Sequence, residues 1–191
     1  MAKKALIVDL DKCIGCHSCS VVCKQENDVN LGVFYNKVAT IGPSGKFPNL
    51  EMYYLPRMCQ QCESPECIDV CPTGASYRRE DGVVLIDKAT CIGCESCIPA
   101  CPYDVRTYDE DRGVVEKCTL CTQLTDIGDQ PACVKVCPGK ARIYGDLDDP
   151  NSAISKALKE AGSKNVHSLA DVGNKPLGRY ILKKFKWVSS T

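Results

Sequence analysis

The spacing of the cysteines constrains this chain more than any other feature. Sixteen of its 191 residues are cysteine, and they fall into four groups of four with none left over. Group one is Cys13, Cys16, Cys19 and Cys23; group two is Cys59, Cys62, Cys67 and Cys71; group three is Cys91, Cys94, Cys97 and Cys101; group four is Cys118, Cys121, Cys133 and Cys137. Any fold for this chain therefore has to bring dense sets of thiols together.

Disulfide bonds and zinc fit this spacing poorly. Disulfide scaffolds are typically short secreted domains without an adequate core, whereas this chain is 44% hydrophobic and opens with MAKKALIVDLDKC, whose apolar stretch is too short for a signal peptide. Cysteines three residues apart, such as Cys13, Cys16 and Cys19, bring their thiols to one point instead of to separate partners. Zinc sites usually pair two C-x2-C knuckles across a long spacer, not three cysteines in one loop.

Groups one and three carry the spacing C-x2-C-x2-C-x3-C, a bacterial ferredoxin signature whose fourth cysteine ligates the other cluster of a pair. Three thiolates from one loop can cap three iron corners of a cubane, and Gly15 and Gly93 allow the tight turns this needs. Sixteen cysteines, at four for each cluster, predict four [4Fe–4S] clusters with all sixteen thiolates bound to iron. The position of His17 in group one corresponds to that of Glu95 in group three. We therefore interpret His17 as a polar neighbour of the cluster and not as a ligand.

The similarity between groups reflects an internal repeat. Residues 6–13 (LIVDLDKC) match residues 84–91 (VLIDKATC), and residues 68–75 match residues 134–141. The pattern predicts an α+β fold of tandem bacterial-ferredoxin-like 2[4Fe–4S] modules, with small antiparallel sheets, long loops and short helices that carry the fourth cysteines. Strands are predicted at 4–10, 51–55, 75–77, 83–87, around 104–108, at 114–117 and at 141–145.

Three further segments carry readable signals. The insert 28–50 contains GPSG and FPN and is predicted to be a loop. Residues 148–162 predict a helix with Asp149 as its N-cap, Pro150 at its first position and Gly162 as its stop. The tail 175–191 has five basic residues and no acidic one. We interpret it as an extended arm on a partner subunit, with a membrane-surface segment or a solvated tail as alternatives.

Charge and motif content argue against several functional classes. Lys plus Arg and Asp plus Glu both number 24, so the net charge is zero and gives no support to binding of nucleic acid or of an anionic membrane. No apolar run approaches the roughly 18 residues of a membrane span. The sequence shows no P-loop, no G-x-G-x-x-G motif and no nucleophile–base pair, so no catalytic residue is predicted.

The four cysteine groups, their order and three short motifs together resemble a known family. The motifs are KCTLC (117–121), GDLDDPNS (145–152) and Gly-x-Lys-Pro (173–176). The chain resembles, over residues 4–182, the four-cluster iron–sulfur subunit of molybdopterin oxidoreductases of the dimethyl sulfoxide reductase type. That family includes the small subunits of polysulfide, tetrathionate and arsenate reductases and of related transhydroxylases and dehydroxylases.

The resemblance implies how the cysteines pair into clusters. Groups one and four would form an outer module (1–27 plus 110–147) and groups two and three an inner module (56–109), with an insert at 28–55 and a C-terminal helix and docking tail at 148–191. Set A is Cys13, Cys16, Cys19 and Cys137; set B is Cys23, Cys118, Cys121 and Cys133; set C is Cys59, Cys62, Cys67 and Cys101; set D is Cys71, Cys91, Cys94 and Cys97. Relatives that lack one group-three cysteine hold a three-iron cluster there, but Cys94 is present, so four cubanes are expected.

The resemblance further implies a non-catalytic electron-transfer subunit. It would relay single electrons to or from a catalytic subunit that holds molybdopterin with Mo or W in an anaerobic redox enzyme. Set A would lie nearest that subunit, and set D toward a quinone-linked membrane anchor where one exists. The alternatives are a free-standing polyferredoxin and a zinc-bound or redox-sensing module. The expected location is the cytoplasm or the cytoplasmic membrane, or the periplasm if a signal-bearing partner carries the chain across.

Overall fold

The computed structural model describes residues 2–188, which form an α+β fold of short elements. The strands are β1 (Lys4–Asp9), β2 (Asn36–Lys46), β3 (Asn49–Met58), β4 (Ser76–Arg78), β5 (Val84–Ile86), β6 (Thr107–Asp109), β7 (Val114–Glu116), β8 (Arg142–Asp146), β9 (Val166–His167) and β10 (Arg179–Ile181). The helices are α1 (Ser18–Glu26), α2 (Glu66–Asp69), α3 (Thr122–Thr125), α4 (Ala132–Lys135) and α5 (Ala153–Ala161), and a 3-10 turn spans Ser163–Asn165.

The largest sheet has four strands in the order β8-β1-β10-β9. β1 pairs antiparallel with β8 and parallel with β10, so the beginning and the end of the chain meet in it. Side chains of a strand alternate between its two faces, and here both faces are buried. Ile7 packs with Ile154 of α5 in one core. Val8 belongs to a second core that also holds Cys19 and Cys23, so the sheet helps to position thiols.

The remaining strands form three antiparallel hairpins. In the sequence, the hairpin β4–β5 lies between groups two and three, and the hairpin β6–β7 lies between groups three and four. The predicted strands near 4–10, 75–77, 83–87, 114–117 and 141–145 are confirmed to within one or two residues at their ends. The strand predicted around 104–108 begins only at Thr107, because the backbone turns at Asp104, whose φ of 50° lies in the left-handed region.

The prediction of a loop at 28–50 is wrong from residue 36 onward. β2 and β3 form the longest hairpin, paired from Asn36 with Met58 to Lys46 with Asn49, with a register irregularity between Ile41 and Ser44. The glycines and the proline of β2 read as turn residues in isolation, but β3 supplies a continuous pairing partner. Residues 42–50, at the tip, are exposed.

The prediction that short helices carry the fourth cysteines holds only for group one. α1 contains Cys23, but α2 and α4 contain the third cysteines of their groups, Cys67 and Cys133, and end before the fourth. The reason is the proline that follows the fourth cysteine, because a proline disfavours the helical conformation of the residue before it. Group one has Lys24 at that position, and α1 continues to Glu26.

Helix α5 begins later than predicted. Its N-cap is Ser152, whose Oγ accepts a hydrogen bond from the backbone N of Ser155 at 3.2 Å. Asp149, the predicted cap, instead accepts from the backbone N of Asn151 at 2.8 Å in the preceding turn. Gly162 ends the helix as predicted, with a φ of 77° that favours glycine.

The C-terminal tail is part of the fold, which corrects its interpretation as an arm. β10 lies between β1 and β9, and Tyr180, Ile181 and Leu182 are at most 3% exposed. Farther along, the ring of Trp187 stacks on His167 with centroids 5.0 Å apart. His167 therefore packs against the tail. Residues 189–191 of the predicted arm lie outside the described residues.

No helix within residues 2–188 combines the length and the apolar character that crossing a membrane requires.

Candidate metal centres

The four thiols of set A line one cavity. Cys13, Cys16 and Cys19 come from the first loop and the start of α1, and Cys137 follows α4; they surround a space of about 380 Å³ that is partly open to solvent. Burial raises the pKa of Cys13. The neighbouring thiols of Cys19 and Cys137 raise this pKa further. Cys16 is exposed, and hydrogen bonding with Ser18 lowers its pKa.

The turn at Gly15 has room for glycine alone. Its φ is +66°, and a Cβ at this position would lie 2.5 Å from the ring of Tyr54. Gly93 in group three repeats the arrangement with a φ of +67° and a Cβ position 2.5 Å from the carbonyl oxygen of Gly113. The tight turns predicted at both glycines are thus confirmed.

Gly15→Ala is expected to damage the set A site specifically. A left-handed alanine costs about 1–2 kcal/mol, and the Tyr54 ring has to move as well. Gly113→Ala is the matched control, because its φ is +65° but nothing lies within 4 Å of its Cβ position. Both variants should lower the melting temperature, but only Gly15→Ala should lower the iron content of purified protein. Equal iron contents would contradict this prediction.

The four thiols of set D line a second cavity. Cys71, Cys91, Cys94 and Cys97 surround about 310 Å³ of space that also opens partly to solvent. Burial alone would raise the pKa of Cys71, but hydrogen bonds from Ser76 and Thr73 outweigh it and lower the pKa. Cys94 is exposed.

Set B lies deepest in the molecule, and the thiols of set C are half-buried. All four thiols of set B are buried. Burial and the neighbouring Cys133 raise the pKa of Cys118 to about 12. Burial also raises the pKa of Cys23. This pKa is raised further by the neighbouring thiols of Cys118, Cys133 and Cys121. Asn27 Nδ2 contacts the Sγ atoms of Cys23 and Cys121 at 3.7 and 3.8 Å. These contacts bring all four members of set B together.

Set C is brought together in the same way. Burial and Cys59 raise the pKa of Cys62 to about 12, and Cys101 and Cys67 contribute to the rise. Burial also raises the pKa of Cys67 to about 11. Asn174 Nδ2 donates to Cys62 Sγ at 3.2 Å. This contact ties the segment before β10 to the site.

The chemistry of the donors fits iron–sulfur clusters. Thiolates are the soft ligands that such clusters require, and each set offers four of them. Within residues 2–188, no three side chains of His, Cys, Asp or Glu are arranged to hold a single metal ion. His17 is exposed and lines the set A cavity, and its interpretation as a polar neighbour stays a prediction. Because the ligands are thiolates, cluster binding releases the protons of the thiols.

The sets are adjacent in the order A, B, C, D. Cys19 of set A raises the pKa of Cys133 in set B, and Cys59 of set C raises that of Cys118 in set B. Between sets C and D, the guanidinium of Arg106 lies against both Cys67 and Cys97. The sixteen thiols therefore form a row of four sets and not a single cluster.

Sequence reasoning did not find the polar side chains that contact sulfur. Besides Ser18 and Thr73, which lie two residues from Cys16 and Cys71, they are Asn27, Asn36, Arg106, Arg142 and Asn174. The two arginines had a signal, because each stands five residues after the last cysteine of its group. The asparagines come from the end of α1, where Asn27 is the C-cap, from β2 and from the segment before β10, and nothing in their local sequence marks them.

Comparison with known families supports the same cofactor. A family model described as a 4Fe-4S dicluster domain matches residues 50–147, and a second model of the same description matches residues 12–75. The two matches overlap over group two and together cover all four cysteine groups. Two dicluster domains and sixteen cysteines support four [4Fe–4S] clusters.

Several known proteins are similar over most of this chain. A Halobacterium salinarum protein, provisionally named as an iron-sulfur subunit of dimethyl sulfoxide reductase, is 43% identical over 95% of this chain and 79% of its own length. A sulfite dehydrogenase subunit of Allochromatium vinosum is 41% identical over 96% of this chain and 85% of its own. A polysulfide reductase subunit of Wolinella succinogenes is 41% identical over 92% and 93%. The chain therefore belongs to the 4Fe-4S dicluster family of iron–sulfur subunits that the cysteine groups and their order predicted.

Proposed function

We propose that this chain is the electron-transfer subunit of a molybdopterin oxidoreductase. It relays single electrons to or from a separate catalytic subunit along four [4Fe–4S] clusters, which are arranged A, B, C, D. Substrate chemistry takes place in that catalytic subunit, which holds Mo or W. The relatives named as subunits of reductases and a dehydrogenase support this assignment.

The proposed ligands are the four thiols of each set. In sets A and D they surround a shared cavity, and in sets B and C they lie close enough to raise one another's pKa. A cluster supplies one-electron exchange with a potential that depends on net charge, hydrogen bonds to sulfur and solvent exposure. The chain's own contribution is to hold the thiolates, to bury the middle of the row and to donate hydrogen bonds to sulfur.

One observation carries the proposal: the row is exposed at its two ends and more buried between them. Cys16 of set A and Cys94 of set D are exposed, whereas all thiols of set B are buried and those of set C are half-buried. Beside the exposed thiols, Ile14 and Ile92 are 62% and 65% exposed. An exposed apolar side chain next to a redox centre suits a protein contact. Electrons can thus enter at one end and leave at the other.

The exposed tip of the β2–β3 hairpin supports a fixed complex over a mobile carrier. Phe47 is 89% exposed and Leu50 is 53% exposed, and Lys46 is the only charged residue between 42 and 50. A carrier that exchanges freely between enzymes needs a surface that is stable in water on every side. This tip is better suited to burial against a permanent partner.

The first test is anaerobic affinity purification from the native host, from both membrane and soluble fractions. We expect co-purification with a large chain that contains molybdopterin, together with about sixteen irons from this subunit. The fraction that holds the complex tests the proposed location, the cytoplasm or the face of the cytoplasmic membrane, against export with a partner. A fully loaded monomer without Mo or W would contradict the proposal and favour the free-standing polyferredoxin.

Charge substitutions at the two exposed isoleucines test the two ends separately. Ile14→Glu should weaken co-purification with the pterin-containing chain, because it places a charge in the proposed contact beside set A. Ile92→Glu is the matched control from the equivalent loop and should leave that contact intact while slowing electron exchange at the set D end. Both variants should keep wild-type iron content. Loss of the pterin-containing chain in Ile92→Glu alone would reverse the proposed orientation.

A further inference from the structure

Three cationic side chains are buried within residues 2–188, and each is close to a cluster set. Arg106, Lys117 and Arg142 are 2%, 2% and 4% exposed. Burial of a charge is costly unless opposite charge or hydrogen bonds compensate for it. Lys117 donates to the backbone carbonyls of Val84 and Cys118. The two arginines instead contact sulfur directly, which gives them a different role.

Arg142 links set A to set B. Its Nη1 donates to Cys133 Sγ at 3.6 Å, and its Nη2 donates to Asn36 Oδ1. Asn36 Nδ2 in turn donates to Cys19 Sγ at 3.2 Å. Cys133 belongs to set B and Cys19 to set A, so a single guanidinium is hydrogen-bonded, directly or through one amide, to sulfur of both sets.

Arg106 repeats this arrangement between sets C and D. Its Nη2 donates to Cys67 Sγ at 2.8 Å, and its Nη1 donates to Ser76 Oγ at 2.8 Å. The backbone N of Ser76 donates to Cys71 Sγ at 3.4 Å. Cys67 belongs to set C and Cys71 to set D, so this guanidinium also spans two sets through one polar partner.

The two arginines also share a local sequence position. Arg106 stands five residues after Cys101, and Arg142 stands five residues after Cys137. Each arginine therefore follows a Cys-Pro pair at the same spacing, although the repeat aligns group three with group one and group four with group two. The position five residues after Cys71 is held by Ser76, which is the partner of Arg106.

We propose that Arg142 raises the reduction potentials of the clusters in sets A and B, and that Arg106 does so for sets C and D. This inference rests on the proposed ligand sets. Reduction adds one negative charge to a cluster, and a positive charge buried beside it stabilises the reduced form more than it would in water. Because each arginine is hydrogen-bonded, directly or through one polar partner, to sulfur of two sets, it acts on both clusters.

The test is potentiometric titration, followed by EPR, of the full-length protein purified anaerobically with its clusters. Signals are assigned to sets with Cys→Ser variants. In Arg142→Met, the reduction potentials of the clusters in sets A and B should fall. At a fixed applied potential, the ratio of reduced to oxidised cluster should drop at least tenfold, which corresponds to about 59 mV for a one-electron couple. Sets C and D should stay near their wild-type values. Arg106→Met should give the converse pattern.

Conservative and surface variants separate charge from structure. Arg142→Lys and Arg106→Lys keep the charge and should restore most of each shift, although they lose the planar double contact. Lys159→Met removes an exposed charge on α5, which solvent and salt screen, and should shift no potential. Neutral Gln variants of both arginines provide a second set in case the Met variants lose clusters.

Four outcomes would overturn the inference. These are unshifted potentials in neutral variants that keep four clusters, a shift shared equally by all four clusters, or shifts in the Lys variants as large as in the Met variants. The fourth is loss of clusters in both Met and Gln variants but not in Lys variants, which would assign the arginines to assembly. Fewer than four reducible clusters in the wild-type protein would instead overturn the proposed function.

Discussion

Cys137→Ser is expected to destroy the cluster of set A, although the substituted residue lies more than a hundred positions after Cys13, Cys16 and Cys19 in the sequence. Cys137 lines the same cavity as those three thiols, and a serine hydroxyl is a harder, far less acidic ligand than a thiol. The expected result is the loss of about four of about sixteen irons, or conversion of that cluster to a three-iron form. Iron analysis and EPR of the anaerobically purified variant measure it.

Cys133→Ser is the matched control for this prediction. Cys133 lies only four residues before Cys137, on α4, but it is near Cys23, Cys118 and Cys121 of set B. The EPR signal lost in Cys137→Ser should be the one lost in Cys16→Ser, and the signal lost in Cys133→Ser should be the one lost in Cys23→Ser. If Cys133→Ser and Cys137→Ser removed the same signal, the proposed pairing of groups one and four would be wrong.

Truncation after Gly178 is expected to unfold the protein and not merely to release a partner. It removes β10, an inner strand of the four-stranded sheet, and with it the buried side chains of Tyr180, Ile181 and Leu182. Loss of a large buried side chain costs about 2–5 kcal/mol, so three together approach the whole stability of a typical domain, about 5–15 kcal/mol. Circular dichroism and iron content should both fall, because cluster binding and folding are coupled.

Truncation after Leu182 is the control, because it keeps β10 and its pairing with β1. It removes the Trp187 ring that stacks on His167 and Tyr180, so we expect a lower melting temperature but nearly wild-type iron content. If the chain ending at Gly178 also kept its iron and its secondary structure, the integration of the tail into the core would be contradicted, and the docking-arm interpretation would return.

Local signals in this sequence were reliable where a short stretch is sufficient to define the structure. The C-x2-C-x2-C loops, the turns at Gly15 and Gly93 and the end of α5 at Gly162 all depend on residues within a few positions of each other. The ferredoxin-like pattern predicted that short helices carry the fourth cysteines, but Pro72 and Pro138 end the helices of groups two and four earlier. That error could have been avoided, because the effect of proline on the preceding residue is itself local.

Errors concentrated where distant segments meet. The β2 sequence NKVATIGPSGK reads as a loop, and only its pairing with β3 makes it a strand. The basic tail reads as an arm, because nothing near Arg179–Ile181 reveals that β1, from the other end of the chain, pairs with it. Asn36 and Asn174 look ordinary in the sequence, but the fold brings each to a thiol.

The sequence by itself determined the cofactor type, the number of thiols available and the repeat, because the spacing of ligands around a cubane is a short-range property of one loop. The tertiary structure decided which thiols share a cavity, the order of the four sets and the burial of Arg106 and Arg142 between them. Those features depend on contacts across 39 residues, from Arg106 to Cys67, and across 106 residues, from Arg142 to Asn36. Such contacts form only once the whole chain is packed, and so the spacing of the arginines from Cys101 and Cys137 does not reveal their partners.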